Sequence, residues 1–267
     1  MRKSRLATLT LSLATALAAT LTLAAPAEAA PSDHYVALGD SYSSGVGAGS
    51  YTAESGSCQR STNAYPALYA TNVRPASYRS VACSGATTAS VTNTQLSALS
   101  TTTTLVSVTV GGNDVGFANI MTTCVLYGTN DCVAAVQTAE NKARADLANL
   151  LRTVYNGIRN RAPSARVVVV GYPVFYQLGT TCVGLSATSR AKINEGINLV
   201  NDLTRSAAQA AGFTFADVRS QFVGHQLCSY GDKWLHALNF ANIGISYHPT
   251  AAGQSSGYYP VFRSVAG

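Results

Sequence analysis

Four consecutive valines, Val167 to Val170, constrain the fold of this chain more than any other stretch. A strand with one wet face alternates apolar and polar residues. A strand apolar at every position must be covered on both sides, as happens in the middle of a parallel sheet packed between helices. Tyr35 to Leu38, Ser77 to Ala82, Leu105 to Val110 and Phe213 to Val218 read as four further strands. Between them lie stretches of helical period. Leu147, Leu150, Leu151, Val154 and Ile158 form one stripe before Pro163, and Ile193, Ile197, Val200 and Leu203 form another. Both read as core faces laid on the sheet. Strands alternating with helices predict a three-layer α/β/α sandwich with a mostly parallel sheet. Residues 172–190 and 219–247 lack such a period and are expected to be loops.

The N-terminal segment and the cysteines bear on the compartment of this chain. Arg2, Lys3 and Arg5 precede an almost wholly apolar run to Ala25, and Ala27-Glu28-Ala29 supplies a small-residue cleavage site. That order predicts a secretory signal peptide over residues 1–29 and a single domain over residues 30–267. Losing the leader removes three cations and Glu28, which lowers the formal net charge of +6 by two. The remaining cations are scattered, so nothing resembles a nucleic-acid footprint. Six cysteines, Cys58, Cys83, Cys124, Cys132, Cys182 and Cys228, remain after processing. In an oxidising compartment an even number implies three disulfides. Fifteen pairings are open, and closeness in sequence favours 58–83, 124–132 and 182–228. Neither C-x-x-C nor H-E-x-x-H occurs, so no metal site is expected.

Three glycine-bearing turns follow strands, where α/β sheets place their functional loops. They are Gly39-Asp40-Ser41, Cys83-Ser84-Gly85 and Gly111-Gly112-Asn113-Asp114. Near the C-terminus, Ser246-Tyr247-His248-Pro249 precedes a last helical segment, with Pro249 suited to its first turn. A serine hydroxyl needs an adjacent base to become a nucleophile, and imidazole titrates near neutrality. Each turn alone is an ordinary loop or helix cap. Together, in this order, they point to acyl transfer.

In these blocks the sequence resembles the SGNH (GDSL) hydrolase family over nearly the whole mature chain. It is similar in particular to the secreted lipases, esterases and phospholipases of filamentous actinobacteria, which carry three disulfides. The resemblance implies a flavodoxin-like fold, Ser41 as nucleophile and His248 as base. It also implies an oxyanion hole formed by the backbone N–H groups of Ser41 and Gly85 with the side chain of Asn113. One family residue is absent: the acid expected three positions before the histidine is Ile245 here, and no carboxylate lies nearer upstream than Asp232. A backbone carbonyl, that of Ser246 or Ile245, is expected to orient His248 instead.

The leucine and isoleucine stripes read as core rather than as acyl pockets, and Gly85 reads as a site of close backbone approach. His34, His225 and His236 read as structural or surface residues rather than catalytic ones, although His236 could line the cleft. The expected activity is hydrolysis of fatty-acyl esters by a monomer that needs no cofactor and touches lipid interfaces at most transiently. A carbohydrate or aryl-acid esterase on the same scaffold is the nearest alternative, and a non-catalytic secreted binding protein the more distant one.

Overall fold

The computed structural model describes residues 33–267, so the leader expected over residues 1–29 lies outside the described residues. Five strands form one parallel sheet: β1 (His34–Gly39), β2 (Ser77–Ser80), β3 (Leu105–Thr109), β4 (Arg166–Val170) and β5 (Thr214–Ala216). Their spatial order is β2-β1-β3-β4-β5. The helices are α1 (Ser41–Ser44), α2 (Tyr65–Val73), α3 (Thr88–Ser90), α4 (Phe117–Leu126), α5 (Thr129–Lys142), α6 (Ala148–Arg161), α7 (Ala187–Ala210) and α8 (Tyr259–Ala266). α2 and α8 pack together on one face of the sheet, and α3, α6 and α7 lie on the other. This is the α/β/α sandwich that the valine run predicts. Val167, Val168, Val169 and Val170 are all buried between the helical layers.

The strand order reverses direction between β1 and β3, which pair in register from Tyr35 opposite Leu105 to Gly39 opposite Thr109. At such a switch point the connections leave on opposite faces, and a crevice opens beyond the carboxyl ends of the strands. Gly39-Asp40-Ser41 and Gly111-Gly112-Asn113 both empty into it.

Leu150 and Pro249 depart from the sequence reading. Leu150 points outward, 37% exposed, while Tyr155 takes its place beside Leu147, Leu151, Val154 and Ile158 in the core. The buried face follows steps of three and four from Leu151, and Leu150 lies about 100° around the helix from it. Pro249 lies outside the C-terminal helix, which begins at Ala251 and passes through a π-helical stretch, Gly253–Tyr258, into α8. Thr250 caps that helix, its hydroxyl accepting from the Gly253 N–H at 3.1 Å.

Three disulfides, Cys58–Cys83, Cys124–Cys132 and Cys182–Cys228, tie the loops to this frame. The first anchors the Ser84-Gly85 turn, where the Ser84 N–H also donates to the Cys58 carbonyl at 3.1 Å. The second joins α4 to α5. The third bridges the two long loops that sequence periodicity leaves unassigned.

The two leucines provide a direct check on the packing. Leu151→Ala should cost about 2–5 kcal/mol in denaturant unfolding, as expected for a fully buried leucine. Leu150→Ala should stay within about 0.5 kcal/mol. Equal losses would contradict the observed orientation of the helix.

Candidate active site

The nucleophile candidate sits at the abrupt transition from β1 to α1. Gly39 makes this turn at φ +124°, and a Cβ there would lie 2.4 Å from the Thr109 carbonyl oxygen, so a side chain is excluded by both conformation and space. The turn is clamped on two sides. The Asp40 N–H donates to Thr109 at 2.9 Å. The buried Gln95 amide accepts from the Gly39 N–H at 2.7 Å and donates to its carbonyl at 2.9 Å. Asp40 caps α1 by accepting from the Tyr42 N–H at 2.9 Å. Ser41 is thereby fixed at the first helical position, where a backbone N–H has no partner within the helix.

His248 arrives from the far end of the chain and meets Ser41: its Nε2 lies 2.7 Å from the Ser41 Oγ. Its Nδ1 lies 3.1 Å from the Ser246 carbonyl oxygen. A carbonyl only accepts, so Nδ1 is the protonated nitrogen, and in the neutral ring Nε2 offers its lone pair to the serine hydroxyl. The Ile245 carbonyl is engaged by the His248 backbone N–H instead, at 3.1 Å. Burial lowers the His248 pKa to about 4, with the nearby His236 acting in the same direction and the Ser246 carbonyl opposing both. The imidazole is therefore neutral, and able to accept a proton, across the whole mildly acidic and neutral range.

Several groups hold the histidine strand in place. Tyr247 adopts a left-handed φ of +66°. Its carbonyl accepts from the Tyr42 hydroxyl at 2.9 Å, and the Tyr42 ring lies 5.2 Å from the imidazole. His236 exchanges backbone hydrogen bonds with Tyr247 and His248, and its Nε2 donates to the Gly47 carbonyl at 2.8 Å. Buried Gln254 donates to the Tyr42 carbonyl and accepts from the Tyr65 N–H, which locks the C-terminal helix onto α1 and α2.

The other two turns stand beside Ser41 on the wall of the same cavity. Neither the Ser41 nor the Gly85 backbone N–H donates to any group among the described residues. Asn113 Nδ2 spends one hydrogen on the Ala86 carbonyl at 2.9 Å, which leaves its second hydrogen free. Asp114 ties this turn to the Gly85 turn by accepting from the Thr88 N–H at 3.0 Å. Tyr172 ties it to the nucleophile turn, accepting from the Gly112 N–H at 3.1 Å and donating to Asp40 at 2.6 Å. Burial pushes the Asp40 carboxyl up to about 7, so it carries only part of a negative charge at neutral pH beside a site suited to an anion. Gly85 has a further conformational reason to be glycine. Its left-handed φ of +76° is a conformation that side chains rarely adopt, and its Cβ position faces open space.

From Ser41 and His248 the cavity, about 630 Å³ in volume, extends between α4, α5 and α7. Its walls are overwhelmingly apolar, with Phe117, Met121, Val136, Ala143 and Phe175 prominent. Ile193, Ile197 and Val200 also line it. The α7 stripe is therefore a cavity wall as well as a core face, contrary to the sequence expectation. Helical periodicity shows that a face is shielded from water, but not whether packed side chains or a hollow lie in front of it.

Residues 37–255 match the GDSL-like lipase/acylhydrolase family. The chain belongs to that family. This acylhydrolase is 53% identical to Lipase 1 of Streptomyces coelicolor over 269 residues, covering 100% of both chains. Among solved structures, an extracellular lipase from Streptomyces rimosus superposes with a TM-score of 0.85 at 52% identity, covering 87% of this chain and 99% of that one. A phospholipase A1 from Streptomyces albidoflavus NA297 gives a TM-score of 0.84 at 52% identity, with 86% and 98% covered. The acylhydrolase is a carboxylic-ester hydrolase.

Sequence reading did not single out Tyr42, Gln95, Tyr172 or Gln254. Each acts through one polar atom reaching a distant segment, and such a contact leaves no periodic trace in the sequence.

The His248 environment has a measurable consequence. Its folded-state pKa lies below the unfolded value of about 6.5, so the folded protein binds this proton less readily than the unfolded chain. Its contribution to stability is complete above pH 6.5 and is lost as the pH falls toward 4. An NMR titration of the imidazole Cε1 proton should show a midpoint near 4. A midpoint at 6.5 or above would contradict the burial of the ring.

Proposed function

We propose that this acylhydrolase cleaves fatty-acyl esters through a Ser41–His248 dyad, a reading carried by the 2.7 Å contact between His248 Nε2 and Ser41 Oγ. His248 removes the Ser41 proton as Oγ attacks the ester carbonyl. Its Nδ1–H stays on the Ser246 carbonyl, which holds the ring in the correct tautomer but stabilises imidazolium less than a carboxylate does. The N–H groups of Ser41 and Gly85 and the free hydrogen of Asn113 Nδ2 receive the charge on the tetrahedral oxygen. His248 then passes the proton to the leaving alcohol. Water, deprotonated by the same base, releases the acid from the acyl-enzyme and restores Ser41.

The apolar cavity supports a fatty-acyl chain as the group held during attack, and relatives named lipase and phospholipase A1 support glycerides and phospholipids as its source. A carbohydrate ester would call for a polar cleft. At the cavity rim Leu126, Phe240 and Ile243 stand 62%, 79% and 63% exposed. The segments 115–130 and 234–262 that carry them contain no Asp, Glu, Lys or Arg. Such a rim suits brief contact of a monomer with a neutral lipid surface. The leader sequence, the three disulfides and an extracellular relative support secretion of residues 30–267 as one domain.

A fluorophosphonate should label wild-type protein at Ser41 and leave Ser41→Ala unlabelled. Labelling elsewhere, or none, would remove the proposal. Asp232→Asn should keep turnover within about twofold of wild type, because the dyad uses no acid. A loss approaching the ~10⁴-fold that follows disabling a triad carboxylate would show that an acid takes part after all.

A further inference from the structure

Glu140 lies on the wall of the cavity that Ser41 and His248 open into, yet the mechanism gives it no task. It is 3% exposed, on the face of α5 that also presents Val136 and Ala139 to the cavity. One carboxylate oxygen, Oε2, accepts from the Lys192 ammonium at 3.0 Å. The other, Oε1, is buried with no hydrogen-bond partner. A buried acceptor without a donor is costly, and native proteins retain few of them without a reason.

The position of the pair supplies a reason. Opposite Glu140 on α7 is Gly196, where a Cβ would lie 3.9 Å from Glu140 Oε1 and 3.0 Å from Val136 Cγ1. The two helices close against each other along this line. Lys192 lies beyond the seam, lining with Val133 and Ala191 a depression on the outer surface. The ion pair therefore separates an apolar interior from the outside. An acyl chain gains binding from each methylene it buries against apolar side chains. That gain ends where the next methylene would press on a buried carboxylate oxygen that no protein donor meets.

We propose that the Glu140–Lys192 ion pair is the closing wall of the acyl cavity and sets the longest acyl chain that the enzyme accommodates. The inference rests on the acyl-hydrolase reading of Ser41 and His248. Lys192 also contacts Glu195 Oε1 and Gln137 Oε1, each at 3.0 Å, so removing the Glu140 carboxylate does not strand a lone cation.

The test is a series of p-nitrophenyl esters from butanoate to octadecanoate, with kcat/KM normalised to active sites titrated by a fluorophosphonate. For wild type, kcat/KM should rise about fourfold per methylene and then stop at a defined length. Glu140→Ala should continue the rise by two or more methylenes, so that its longest favoured ester exceeds that of wild type by about tenfold relative to the short esters. Gly196→Ala, which puts a methyl group into the seam, should move the limit to a shorter chain. If both variants titrate fully and keep the wild-type length profile, the wall assignment is overturned. Should Glu140→Ala fail to fold, Gly196→Ala with an unshifted limit overturns it alone. Failure of the wild-type protein to titrate would instead overturn the acyl-hydrolase reading.

Discussion

A hydrogen bond between residues 207 positions apart, Ser41 and His248, is the constraint around which the rest of this structure is arranged. It joins a turn fixed by the first strand to a segment delivered by the last loop. Neither residue can reach the other unless the sheet, both helical layers and the C-terminal helix are in place. The surrounding contacts follow from that requirement. Gln95 and Thr109 hold the serine turn, Gln254 brings the C-terminal helix onto it, and the Tyr42 hydroxyl grips the carbonyl next to the histidine. Catalytic geometry of this kind depends on fixing groups to within a fraction of an ångström, which buried bonds from several directions achieve better than one.

The missing acid shapes the electrostatics of the site. With a neutral carbonyl behind it and little water around it, His248 is held in its unprotonated form. Asp40, the carboxyl nearest the nucleophile in sequence, is pushed toward neutrality by the same burial. Asp40 therefore sets less than a full negative charge beside the place where an oxyanion would form. The Ser41 and Gly85 amides and Asn113 are the groups left with uncommitted hydrogens there. In the proposed mechanism, stabilisation falls to these dipoles, which are already in position and cost no reorganisation when charge develops.

Much of this was legible in the sequence because it is local or periodic. The valines of β4 announce a sheet covered on both faces, and the glycine turns mark the strand ends that the switch point gathers together. The stripe on α7 was legible as shielded but not as hollow, since a cavity wall and a core face bury the same residues at the same spacing. Leu150 shows the complementary limit, an apolar residue adjoining the stripe that faces water. Glu140 was silent because a lone acid on a helix reads as surface until its burial is seen. The Ser246 carbonyl could be inferred only from an absence, the lack of an acid where one was expected, and the backbone around Tyr247 then had to show which carbonyl was free.

The arrangement stands or falls on which ring nitrogen of His248 carries the proton. Nitrogen-15 chemical shifts of the imidazole, recorded above pH 6.5 where the ring is neutral, read this directly. Proton donation to Ser246 requires a protonated, pyrrole-type Nδ1 and an unprotonated, pyridine-type Nε2 facing Ser41. A protonated Nε2 would leave the serine without a base and contradict the account.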